Sequence, residues 1–139
     1  MKIDQALFAE ILVDSLARGE AVGLRVRGAS MVPWLRAGAK VRVLPAAGRT
    51  IRRGDVVLFA RASGRPILHR VLGWRRDNGA VVYECRGDSE HGAAERVPAA
   101  AVLGVLETTP LRRAAFRVFH RPRRFLNRWA VAWGLRWPP

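Results

Sequence analysis

Lysine, cysteine and long apolar runs are scarce in this chain, and each scarcity excludes a class of protein. The single Cys85 excludes an internal disulfide and fits a reducing compartment. No window reaches about 18 consecutive apolar residues, and acidic side chains interrupt the N-terminal segment, so neither a membrane span nor a secretory signal is predicted. Lys2 and Lys40 are the only lysines, which leaves few candidates for a lysine base. These absences favour a cytoplasmic protein.

Positive charge is in excess, and nearly all of it is carried by arginine. Lysine and arginine together number 25 against 11 acidic residues, so the formal net charge is +14. Arginine pairs bidentately with phosphates and carboxylates, and a field of this size favours polyanions or an anionic membrane surface as partners. The length of 139 residues suits one domain with a core and an appendage.

The appendage begins near Thr108, because no acidic residue follows that position. We therefore predict a domain over residues 1–109 and an amphipathic helical tail, rich in arginine and tryptophan, over residues 110–139. Arginine beside tryptophan suits the headgroup region of an anionic membrane, so the protein could be peripheral on the inner membrane face. Packing of the tail on the domain and nucleic-acid binding are the alternatives. The tail residues that carry this prediction are Arg117, Arg121, Arg124, Arg128, Trp129, Trp133 and Trp137.

The rest of the chain has the pattern of a mainly β protein of the α+β kind. Helical spacing of Leu7, Ile11, Leu12 and Leu16 predicts one amphipathic helix over residues 4–18. Short alternating segments separated by glycine, proline and Asn-Gly signals predict a small antiparallel sheet. Its predicted strands cover residues 22–26, 41–44, 55–60, 67–74, 80–86 and 102–107, with hairpin turns at Asn78-Gly79 and Ser63-Gly64.

Ser30 lies on a sharp turn after the first strand, between Gly28 and Pro33. A hydroxyl at such a position can be exposed beside backbone N–H groups, as nucleophilic attack and oxyanion stabilisation require. Most turns of this composition are only turns, so the catalytic interpretation depends on a base elsewhere in the chain.

His69 is the best candidate for that base. It shares a strand face with Ile67 and Val71, which would hold the imidazole rigidly beside the core. Asp88 stands in an acidic segment, residues 84–95, and could accept the second imidazole N–H as the acid of a triad does. A buried structural histidine and a solvated turn at Asp88 are the alternatives.

Five short motifs occur in a characteristic order between residues 20 and 107. They are residues 28–33 around Ser30, residues 53–57, His69-Arg70-Val71, Gly87-Asp88-Ser89 and residues 102–105. Together they resemble the signal peptidase I and LexA-like serine peptidase superfamily. The presence of histidine where bacterial signal peptidases have lysine is similar to the archaeal and endoplasmic-reticulum branch, which uses a Ser-His-Asp site.

The resemblance implies a signal-peptidase/LexA-like β fold and a serine endopeptidase that needs no cofactor and no metal. Ser30 would be the nucleophile and contribute its backbone N–H to the oxyanion site, His69 the base, and Asp88 the acid. Glu95 loosely matches a second acid of the branch and is a possible accessory acid. One departure concerns Gly28, where many members have a hydroxyl that helps to bind the oxyanion.

The expected substrate is a peptide or leader segment of a protein, bound in extended conformation. Two alternatives remain open at the level of sequence. The chain could be a catalytically silent module of the same fold that binds membrane or nucleic acid, or a self-cleaving protein of the LexA-like kind.

Overall fold

The structure, a computed structural model, describes residues 5–108 as an antiparallel sheet of seven strands curled into a half-barrel, with one helix. The strands follow the spatial order β1-β2-β7-β3-β4-β5-β6. The elements are α1 (Gln5–Ala17), β1 (Val22–Arg25), β2 (Lys40–Pro45), β3 (Val56–Ala60), β4 (Pro66–Asp77), β5 (Ala80–Arg86), β6 (Glu95–Pro98) and β7 (Val102–Leu106). The predicted mainly β class is confirmed. Within these described residues, no helix has the length and apolar character needed to cross a bilayer.

Two hairpins form where the sequence predicts them. Asn78 and Gly79 both adopt positive φ, at 48° and 80°, which is the backbone of a tight two-residue turn between Asp77 and Ala80. The β3–β4 hairpin turns at Gly64, whose N–H donates to the carbonyl of Arg61. Only β6 was absent from the prediction, because it falls at the end of the acidic segment 84–95. It pairs with β5, and Val97 is the one large aliphatic side chain among its four residues, so its sequence has no alternating apolar pattern.

The core lies on both faces of the central strand β3. Val56 and Leu58 pack with the helix and the segment after β1, whereas Val57 and Phe59 pack on the other face with β4, β5 and β7. All four are buried, which explains why this strand is a continuous apolar run rather than an alternating one.

Helix α1 contacts the sheet through a narrow stripe. Leu12 and Leu16, one turn apart, are buried, but Leu7 and Ile11 are each about half exposed, at 49% and 50%. Successive residues of a helix point about 100° apart, so Leu7 and Ile11 lie to one side of the stripe that Leu12 and Leu16 form. The helix contacts the sheet through that stripe alone, which is narrower than the predicted face. Part of that predicted face is therefore wrong.

Candidate active site

Buried residues that follow Ser30 in the chain hold its turn against the core. Met31 and Leu35 are buried in the core, and the N–H of Leu35 donates to the carbonyl of Met31. Before the serine, Gly28 adopts a φ of 76°, a conformation that other residues reach only with strain. This backbone carries Ser30 out of β1 and leaves it partly exposed while Met31 points inward.

A second loop, residues 87–90, packs directly on this turn. The N–H of Ser89 donates to the carbonyl of Ser30 at 2.9 Å, and the Ser89 hydroxyl donates to the carbonyl of Ala29 at 2.7 Å. The loop comes very close to the Ser30 turn at Gly87, where a Cβ would lie 2.7 Å from the Ser30 carbonyl oxygen and 3.0 Å from Ser30 Cβ. Two segments almost 60 residues apart in sequence are thus joined by backbone contacts at the candidate nucleophile.

His69 lies in β4 opposite Val57 of β3, on the face it shares with Val71. The residue is buried, and its ring meets Phe59 edge-on, with centroids 5.9 Å apart and planes at 69°. Its Nδ1 is buried and has no hydrogen-bond partner among the described residues. Its Nε2 is 3.5 Å from Oε1 of Glu90.

The environment of His69 lowers its pKa. Burial is the largest cause, because it penalises the charged imidazolium. The Glu90 carboxylate is the strongest opposing influence, followed by Glu95, while the Arg61 guanidinium acts in the same direction as burial. A histidine with a lowered pKa is an unprotonated base at neutral pH, as a serine nucleophile requires.

Asp88 does not face His69. Both of its carboxylate oxygens accept hydrogen bonds from the guanidinium of Arg70, at 2.8 Å from Nε and 2.7 Å from Nη2, and both side chains are buried. The same guanidinium donates to the carbonyl of Gly54 at 2.9 Å. Arg70 follows His69 in β4, and successive strand residues point to opposite faces of a sheet. The predicted hydrogen bond from His69 to Asp88 is therefore wrong.

Glu90 is the carboxylate that sequence reasoning missed. Its Oε2 accepts a hydrogen bond from the N–H of Gly87 at 3.3 Å. A Cβ placed on Gly87 would lie 3.0 Å from Glu90 Cδ and also 3.0 Å from Ser30 Cβ, so Glu90 and Ser30 approach Gly87 equally closely. Its side chain is partly exposed, at 44%, whereas that of His69 is only 2% exposed. The Glu90 carboxylate therefore lies between solvent-exposed surface and the buried imidazole, with Oε1 3.5 Å from Nε2.

Glu95 takes a different position from the accessory role expected for it. It begins β6 opposite Cys85 and forms an ion pair with Arg61. Its charge still raises the pKa of His69, but its carboxylate is engaged with a guanidinium. Cys85 is a buried free thiol, and burial raises its pKa to about 12.

The Ser30 hydroxyl makes no hydrogen bond to another described residue, so no Ser–His hydrogen bond is formed in this state. Space is open at Gly28, where a Cβ would have no neighbour within 4 Å, and a glycine supplies no side-chain donor to the oxyanion. In the described part of the chain, no group of three or more His, Cys, Asp or Glu side chains could hold a metal. The predicted tail residues lie outside the described residues.

Comparison with known proteins adds no family assignment. The chain matches no protein-family model and has no significant match among curated proteins.

Proposed function

We propose that this protein is a serine endopeptidase of the signal-peptidase type, with Ser30 as nucleophile and His69 as general base. The observation that carries the proposal is the contact between loop 87–90 and the Ser30 turn. Through Glu90, the loop that hydrogen-bonds to Ala29 and Ser30 also reaches the imidazole of His69. A glycine at position 87 allows this close approach.

The proposed chemistry gives each of the two side chains one role. Ser30 Oγ attacks the carbonyl carbon of a peptide bond as its proton passes to His69, and the imidazolium then gives that proton to the leaving amine. Water, deprotonated by His69, hydrolyses the acyl-enzyme and restores the serine. The Ser30 N–H donates to the tetrahedral oxyanion. Catalytic hydrogen bonds absent from a free enzyme often form only with substrate bound, so Ser30 Oγ engages His69 in that state.

The substrate in this proposal is an extended peptide or leader segment, with small side chains near the scissile bond as the resemblance implies. The proposed location is the cytoplasm, with the tail at the inner membrane face. Replacing Trp129 and Trp133 by alanine in the full chain should then weaken binding to anionic vesicles, and unchanged binding would remove the membrane from the proposal.

Labelling with a fluorophosphonate probe tests the nucleophile directly. The wild-type chain should be labelled, and Ser30→Ala and His69→Gln should lose at least about 100-fold in labelling rate, the usual scale for a lost nucleophile or base. Ser63→Ala is the matched control, because Ser63 is an exposed serine in the β3–β4 turn. Labelling that persists in Ser30→Ala would rule out Ser30 as the nucleophile.

A second candidate function is a catalytically silent binding module of the same fold. It is favoured by one observation, the closed state of the site, in which the His69 side chain is 2% exposed and Ser30 Oγ lacks a hydrogen bond to it. A silent module would show no probe labelling and no cleavage of a peptide library between about pH 5 and pH 9, a range that spans the usual histidine titration.

A further inference from the structure

We infer that Glu90, and not Asp88, is the acid of the candidate site: a positioning residue that holds His69 in one tautomer and stabilises the imidazolium. The inference rests on the proposed function for its catalytic consequence. Its structural basis is independent of that function, since it comes from the contacts of one buried ring and one carboxylate.

Of the carboxylates near His69, Glu90 is the one that the ring can use. His69 Nε2 is 3.5 Å from Glu90 Oε1, within the range of an ion pair. Asp88 accepts two hydrogen bonds from Arg70, whose side chain lies on the face of β4 opposite to that of His69. Glu95 is paired with Arg61. Among the acids of segment 84–95, Glu90 is thus the one whose carboxylate faces the imidazole.

Backbone groups of loop 87–90 hold the Glu90 side chain in place. Its Oε2 accepts from the Gly87 N–H, while its own N–H donates to the Gly87 carbonyl at 3.1 Å. These two contacts leave Oε1 directed at His69 and fix the side chain beside the Ser30 turn. A carboxylate with one oxygen on a backbone N–H and the other towards a ring nitrogen is oriented as the acid of a serine triad is.

The two ring nitrogens of His69 have different surroundings. A carboxylate opposite Nε2 favours the proton on Nε2 and leaves the lone pair on Nδ1. Nδ1 is the buried polar atom that has no hydrogen-bond partner among the described residues. A buried unpaired nitrogen is costly in a folded protein, and a basic catalytic function is one reason for keeping it.

Three carboxylates and one guanidinium shift the pKa of His69. Glu90 and Asp88 belong to the same loop, Glu95 to β6, and Arg61 to the β3–β4 turn. Of these, Glu90 has the largest effect, and it opposes burial by favouring the imidazolium. Removing its charge should therefore lower the pKa of His69 further.

The experiment is a titration of His69 by NMR in the full-length wild type and in Glu90→Gln, which keeps the side-chain shape. The His69 resonances should titrate at lower pH in Glu90→Gln, and ¹⁵N shifts should show loss of the single tautomer with the proton on Nε2. Glu84→Gln is the matched control, because Glu84 is paired with Arg75 and does not influence His69. An unchanged titration in Glu90→Gln, or an equal shift in Glu84→Gln, would overturn the inference.

A second readout separates catalytic positioning from a purely structural pair. The acid limb of fluorophosphonate labelling should move to lower pH in Glu90→Gln together with the titration, and the rate at neutral pH should fall at least about tenfold. Glu90→Asp, which keeps the charge, should recover part of the rate. A titration that moves while the labelling profile does not would reject the positioning role. If the wild type is never labelled, the proposed function fails, and the titration alone still decides whether Glu90 pairs with His69.

Discussion

The buried Arg70–Asp88 pair makes a strong quantitative prediction. Asp88→Asn keeps the shape of the side chain but removes the charge opposite a guanidinium that is itself 7% exposed. Removing one charge of a buried ion pair costs about 3–5 kcal/mol, and because the asparagine amide can still accept one hydrogen bond from Arg70, about 3 kcal/mol is expected. Because small domains are stable by about 5–15 kcal/mol, the variant should remain folded but be clearly weakened.

Urea unfolding of the full chain, followed by tryptophan fluorescence, measures this loss as a lower midpoint at an unchanged slope. Glu107→Gln is the control, because its ion pair with Arg42 joins two exposed side chains at 3.3 Å and contributes at most about 1 kcal/mol. The double variant Arg70→Met, Asp88→Leu should be less destabilised than the sum of its single variants. If Asp88→Asn costs no more than Glu107→Gln, the pair does not hold the loop and the reasoning is refuted.

Two further predictions concern the loop and the histidine. Gly87→Ala would place a Cβ 2.7 Å from the Ser30 carbonyl oxygen, so the loop must move away. Probe labelling should fall at least about tenfold, and because the clash is with backbone the urea midpoint should fall as well; unchanged labelling would contradict the close approach. The pKa of His69 is lowered in the folded protein, so the unfolded chain binds a proton at this residue more readily. The contribution of His69 to the free energy of unfolding is therefore present above pH 6.5 and is lost as the pH falls towards the folded-state pKa. The difference in unfolding free energy between wild type and His69→Gln should therefore shrink below pH 6.5, and a difference that grows there would contradict the sign.

Much of the fold could be predicted because its signals are local. The Asn78-Gly79 turn and the alternation of the strands on either side of it identify the β4–β5 hairpin from the sequence alone. Strand β6 gave no such signal, since only Val97 among its four residues is buried. Its existence depends on the free edge of β5, which is a property of the assembled sheet.

The motif order alone did not identify the partner of His69, because that partner depends on which face of β4 each loop residue reaches. A sequence signal for the alternative did exist. Arg70 stands beside His69 on a strand with a buried opposite face, and a buried arginine almost always requires a carboxylate. The nearest motif acid, Asp88, is engaged by this arginine, which leaves Glu90 for the imidazole.

One loop therefore contacts both faces of β4, through Asp88 to Arg70 and through Glu90 to His69. This arrangement separates two effects that a loss of activity alone would confuse. Asp88→Asn should lower the labelling rate by loosening the position of the loop, while the pH at which His69 titrates changes less than in Glu90→Gln. If instead Asp88→Asn moved the His69 titration further than Glu90→Gln, Asp88 would be the acid after all, and the ion pair with Arg70 would have to open in the active state.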